Sequence, residues 1–402
     1  IRTGDNKELI YKIDSGRIKP SKSLQDSIAK MLEGNREFIM LDEQKVVYEE
    51  ILNEARCSAK DGKKRVLIVK GGPGTGKSVV AVNLLAKLTK EDQFCQYVSK
   101  NAAPRNVYRK KLKGSIRKSS VDNMFKGSGI YTETQNNMID TILVDEAHRL
   151  NAKSGMFHNM GGNQIKEIIH SAKCSVFFID ERQRVTLKDI GRIGEIRKWA
   201  KEEKAQITEM ELLSQFRCNG SDGYLAWLDH TLEIHDTANF DMKDINYDIR
   251  ILDSPMEMRE LILEKNHISH NKARILDGYC WDWKKEGVND SAVYDIKIGD
   301  FEISWNLKNT TTFAIDEDSV HEAGCIHTSQ GLEFDYVGVI IGDDMRYENG
   351  TVVIDFTKRA RTDQSLKGIK KLYKENPIRA KKEADEIIKN TYRALMTRGM
   401  KG

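Results

Sequence analysis

The sequence predicts an α/β protein of two lobes, each a parallel sheet flanked by helices, and three observations predict it. Short apolar runs at residues 66–69, 142–144 and 176–179 alternate with helical stretches such as 79–88. The same alternation returns at 249–252, 274–276 and 337–341. A glycine-rich turn, GGPGTGKS at 71–78, lies between the first apolar run and the first long helix.

The 402 residues are enough for two or three domains with real cores. Residues 1–35 are polar and basic and read as a lead-in, 36–205 as the first lobe and 206–402 as the second. The first residue is Ile, so the expectation is a longer natural chain. The ending TRGMKG reads as a second cut, because a strand is expected after the helix that precedes it. In the second lobe, 255–264 reads as a helix with Pro near its start. YDIKIGDFEISW, 294–305, reads as a hairpin turning at Gly299 and Asp300.

Hydrophobic residues make up 39% and charged residues 31%, and no apolar run exceeds a strand in length. Neither a membrane span nor a secretory leader is expected. Six cysteines are scattered without C-x-x-C, which argues against a disulfide framework or a zinc site and for a reducing, cytoplasmic setting. A net charge of +4 is too mild to name a polyanionic partner, so the placement of charge carries more weight.

GGPGTGKS matches G-x-x-x-x-G-K-[ST] in its expected strand–turn–helix setting. Glycines let backbone amides wrap a phosphate, and the following helix N-terminus adds positive potential. Gly72, Pro73, Gly74, Thr75, Gly76, Lys77, Ser78 and Val79 are therefore the residues expected against ATP. Lys77 is expected to reach the β- and γ-phosphates, and Ser78 to hold Mg²⁺. LVDEAH at 143–148 supplies the acids such a site needs at the end of a buried strand: Asp145 for the metal and Glu146 for the attacking water. His148 stands open between a coupling role and a structural one. These residues imply ATP binding and hydrolysis, not what the energy does.

A two-lobed motor also needs polar and basic residues at strand ends from both halves. Asp180 and Gln183 close one strand; Gln215, Arg217, Arg393 and Arg398 follow later in the chain. RNVYRKKLKGSIRK at 105–118 holds seven basic residues and no acid. It reads as a phosphate-binding track through Arg105, with Tyr108 stacking on a base, or as a solvated basic face. CWDW at 280–283 reads as core packing rather than a stacking platform.

With these motifs in order, the chain resembles superfamily 1 helicases and, more narrowly, the Schlafen group-3-like DNA/RNA helicase domain family. The resemblance covers roughly 36–402. It rests on LDEQKVVYEEIL, GGPGTGKS, LVDEAHRL, SQFRCNGSDGYLAWLD, ARILDGYCWDW, IHTSQGLEFDYVGVIIG and YRALMTRG. It implies two RecA-like lobes with an ATP cleft between them. Gln44 would read adenine; Gln183 would sense the γ-phosphate or the water. Arg217 and Arg398 would act as arginine fingers. Gln330, Gly331 and Glu333 would meet the nucleotide, with Glu333 on the ribose, while Asn101, His327 and Thr328 would meet the single-stranded backbone. The expected function is ATP-driven movement on single-stranded DNA or RNA. A nucleotide-gated binding switch and a protein-directed ATPase are the competing readings. Relatives of this kind suggest a nuclease or other domain in the missing N-terminal sequence. Short motif spacing leaves no room for bulky accessory domains, so a translocase without an efficient wedge also fits.

Overall fold

The computed structural model describes residues 28, 30, 32, 40, 42–155, 159–214, 222–237, 241–242, 245, 247–284, 290–307 and 312–402. Apolar β-branched runs form the first sheet. β1 (Arg65–Gly71) is flanked by β5 (Ala172–Ile179) and β6 (Gln206–Leu212). Beyond β5 lie β4 (Ile139–Asp145), β2 (Cys95–Ser99) and the short β3 (Phe125–Lys126). All five pairings are parallel. The central strands are buried along most of their length, as a sheet covered on both faces requires. Helices α1 (Asp42–Asp61), α2 (Lys77–Lys90), α3 (Ala102–Leu112), α4 (Lys118–Met124), α5 (Gln164–Ser171) and α6 (Ile193–Glu202) connect and cover them.

The second half runs through α7 (Asp222–Thr231) and α8 (Pro255–Ile268). α8 carries Pro at its start and is capped by the Ser254 side chain. Five further strands follow: β7 (Ala273–Asp277), β8 (Ile296–Ile298), β9 (Phe301–Trp305), β10 (Glu322–Gly324) and β11 (Tyr336–Ile340), in the order β11-β7-β10-β9-β8. The expected hairpin is present: β8 and β9 pair antiparallel, and Gly299 supplies the left-handed turn at φ 56°. The four-residue helix α9 (Ile326–Ser329), the ribbon β12 (Met345–Glu348) and β13 (Thr351–Ile354), α10 (Ile369–Glu375) and the 20-residue α11 (Pro377–Met396) complete the fold. After α11 the chain runs beside β11, with Gly399 bridged to Phe334 in parallel.

Two expectations need correction. The division at 205/206 falls short of the sheet edge: β6, assigned to the second lobe, pairs along its whole length with β1. Residues 249–252 are not a strand; Ile251 is 90% exposed and has no sheet to join. Among the described residues no helix is long and apolar enough to cross a membrane.

Candidate nucleotide and nucleic-acid site

The turn after β1 is built by glycine. Gly74 and Gly76 adopt φ of 78° and 85°, and a Cβ on Gly76 would lie 2.2 Å from Nε2 of Gln44. Gln44 is buried and donates to the Thr75 carbonyl at 3.1 Å, so α1 braces the turn. Lys77 is buried, and its ammonium folds over the turn, donating to the carbonyls of Gly71 and Gly72 at 2.6 Å each. Val79 packs against the core from the first turn of α2.

Asp145 closes β4 and faces Ser78 in the first turn of α2. Its Oδ2 accepts hydroxyls from Ser78 at 2.6 Å and Tyr97 at 2.5 Å, and its Oδ1 accepts the Glu146 amide at 2.9 Å. Burial, and then the neighbouring Glu146 charge, raise the Asp145 pKa. A cation beside it would relieve both effects. Ser78 and Asp145 thus offer two converging hard oxygens, a donor set that suits a divalent cation such as Mg²⁺.

Glu146 stands in the left-handed region at φ 53°, a costly conformation for a non-glycine residue. Burial pushes its carboxyl up. Hydrogen bonding from His148 and the charges of His148, Lys77 and Arg398 outweigh that and hold it well below the usual carboxylate range. His148 is fully buried. Its Nε2 lies 3.0 Å from the Glu146 carboxylate and 3.1 Å from the amide of Gln330, a second-lobe residue, while its Nδ1 faces the Asp180 amide at 3.4 Å.

Gln330 is the hub between the lobes. Its Oε1 accepts from Arg149, and its carbonyl accepts from Nδ2 of Asn101 at 3.0 Å. Asn101 also caps α3 by accepting the Ala103 amide. The next residue, Gly331, is left-handed at φ 82°. A Cβ there would strike Pro104 at 2.7 Å and approach Glu146 Oε1 at 4.0 Å. Glu333 is half-buried. On the far side, Gln183 donates to Asp180 at 2.8 Å and accepts from Arg398 at 3.0 Å. Gln44, Lys77, Ser78, Asp145, Glu146, Gln183, Gly331 and Arg398 are therefore brought into one region. Arg217 and Gln215 lie outside the described residues.

A second cleft, of about 230 Å³, runs between the lobes beside this region and is lined by Lys100, Asn101, Arg149, Lys188, His327 and Gln364 among others. His327 is exposed, with its ring 5.9 Å from that of Tyr279. Three assigned nucleic-acid contacts do not hold. Tyr108 is 1% exposed and packs edge-on against Tyr97 and beside Phe125, which leaves no free face for a base. Arg105 turns inward to donate to the carbonyls of Ser99 and Asn101. Thr328 is buried, and its hydroxyl closes the first turn of α9 by accepting the Cys325 amide at 2.9 Å. The basic run is partly consumed as well: Arg109 pairs with Asp122 at 3.1 Å, and Lys110 with Asp316 of the second lobe at 2.5 Å. Sequence reasoning missed Lys100, Arg149 and Lys188 as cleft residues. Lys100 carried a signal, since it stands beside Asn101 at the end of β2. Lys188 carried none.

The match that decides the family covers residues 64–402: the Schlafen group 3, DNA/RNA helicase domain. The chain belongs to this family. A helicase domain is therefore what the two-lobed arrangement builds. A protein of Saccharomyces cerevisiae that bears only the name "uncharacterized protein" is 24% identical over 401 residues, covering 90% of this chain and 86% of that one. Among solved structures, the Pif1 helicase of Candida albicans matches with a TM-score of 0.32 at 15% identity, over 57% of this chain and 55% of that one. A DNA replication initiation factor matches at 0.27 and 16%, over 59% and 64%. The helicase-domain chain thus spans a little over half of the first structure and under two thirds of the second.

Proposed function

We propose that this chain hydrolyses ATP to move on single-stranded nucleic acid. The observation that carries the reading is that the second lobe reaches the catalytic acid of the first by two routes. One is Gln330 through His148 to Glu146, and the other is Arg398, whose charge acts on Glu146 and whose Nη2 binds Gln183.

In the reaction, Glu146 accepts the proton of a water whose oxygen attacks the γ-phosphorus, and the bond from phosphorus to the β–γ bridging oxygen breaks. Its low pKa keeps it ionised, and so able to orient the water, at all physiological pH. Lys77 leaves the Gly71 and Gly72 carbonyls to bind the β- and γ-phosphates. Arg398 neutralises charge developing on the γ-phosphoryl oxygens. Ser78 and Asp145 would hold Mg²⁺, which would supply positive charge against the phosphates. Gln44, braced on Thr75, stands at the end of the turn where the base belongs.

The cleft lined by Lys100, Asn101, Lys188 and His327 is the track. Its cations read phosphates without regard to sequence. Asn101 touches both the track and the Gln330 backbone, so a strand in the cleft bears on the same residue that faces Glu146's partner. The lobes divide after Leu212, where β6 ends.

The test is steady-state ATP hydrolysis by wild type and Glu146→Gln, with and without single-stranded DNA or RNA. Stimulation by one polymer, lost in the variant, supports a motor and names its track. Intact basal turnover with no response to either polymer overturns the motor reading.

A further inference from the structure

One cleft touches the phosphate turn at the end away from Gln44. About 350 Å³ in volume, it is bounded by Gly72 and Pro73 on one side and by Arg182, Asp229, His235 and Arg393 on the others. Its position along the turn is informative. Gln44 braces the Thr75–Gly76 end, the side assigned to the base. The cleft opens at the opposite end, where Lys77 crosses Gly71 and Gly72 and where Arg182 precedes Gln183. It therefore adjoins the place where the γ-phosphate is cleaved.

The charges of the lining suit a transient anion. Arg393 is buried and held by Asp229 through Nε and, at 3.0 Å, through Nη2. Arg182 reaches the same carboxylate at only 3.8 Å and is 57% exposed, so it faces the opening. Among the described lining residues two guanidinium groups meet one carboxylate, and Arg182 is the more weakly held of the two. His235 stands exposed at the rim, anchored by its amide to the Asp229 carbonyl at 3.2 Å. A fully cationic pocket would trap a product oxyanion; a neutral one would not draw it out.

We propose that this cleft is the exit vestibule for inorganic phosphate, a station between the cleaved γ-phosphoryl group and solvent. Arg182 draws the anion outward, and Asp229 limits the hold of Arg393 on it. The inference rests on the ATPase reading and adds to it the route of one product. It makes Arg182 and His235 determinants of phosphate release, distinct from the residues that break the bond.

The experiment uses the whole chain saturated with ADP and Mg²⁺, so that the phosphate turn is filled. Inorganic phosphate is then titrated in and followed by the ³¹P line width of free phosphate. Wild type, Arg182→Ala and His235→Glu are compared; both positions are exposed, and thermal melting confirms that each variant is folded. Phosphate is expected to bind the ADP complex, with each substitution weakening it by about tenfold. Equal phosphate binding by all three proteins overturns the vestibule. A chain that binds no ADP overturns the ATPase reading and the vestibule together, a result seen in the nucleotide titration before phosphate is added.

Discussion

Arg398 Nη2, at the end of the second lobe, donates to Oε1 of Gln183 in the first, at 3.0 Å. Both side chains are buried, and Gln183 is in turn held by Asp180 at 2.8 Å. Arg398, proposed as the arginine finger, thus rests on Gln183, and its charge acts on Glu146. Arg398→Ala is expected to lower kcat by about 10³-fold or more with a smaller change in KM, because its charge matters most as the γ-phosphoryl group separates. A change confined to KM would make Arg398 a ground-state binder instead.

Gln330 holds Asn101 through its carbonyl and faces Arg149 and His148 through its side chain. Gln330→Ala keeps the backbone contact and removes the other two. The expected outcome is that stimulation of hydrolysis by single strands falls toward one, a coupling loss of about 5- to 100-fold. Stimulation that survives intact would move the coupling to the Arg398–Gln183 pair.

Lys100 is half-buried at the proposed nucleic-acid cleft. Burial first, and then the charge of Arg149, pull its pKa down to about 8. The ammonium is charged below that pH and lost above it, so strand affinity is expected to fall as pH rises from about 7 to 9. The same depression from the ordinary value of 10.5 means that the charged form costs stability below about 8. That cost is relieved as pH climbs toward 10.5. Binding and stability should therefore move in opposite directions. Lys100→Arg should flatten the binding profile, measured by fluorescence anisotropy of a labelled single strand across that range.

Arg274 is completely buried in the second lobe. It donates to Ser319 Oγ at 2.8 Å, Asn266 Oδ1 at 3.0 Å, Asn271 Oδ1 at 2.8 Å and the Asp316 carbonyl at 2.8 Å. Arg274→Met leaves these acceptors without their donor and is expected to cost about 3 kcal/mol or more. The urea midpoint of the second lobe's transition reads the loss, and a shift under about 1 kcal/mol would contradict it.

Much of the phosphate side was legible in the sequence because its chemistry is local. Gly71 to Ser78 follow one another in the chain, and the turn they form needs glycine at Gly74 and Gly76 whatever packs around it. Asp145 and Glu146 end an apolar run that can only be a buried strand. The nucleic-acid side was read less well. Tyr108 and Arg105 sit in a basic run, but helical periodicity turns Tyr108 into the core and Arg105 onto the carbonyls before its own helix. Charge composition cannot say which face of a helix is spent on its own protein.

The chain by itself determined the two α/β halves, the phosphate turn, the paired acids and the family motifs. Each depends on residues adjacent in sequence or one strand apart. Only the tertiary structure decided that β6 belongs to the first sheet, that Gln330 inserts between Arg149 and His148, and that Lys100 and Lys188 share a cleft with His327. These are contacts between segments far apart in the chain. Their geometry is set by how two packed lobes meet, and no local pattern encodes that.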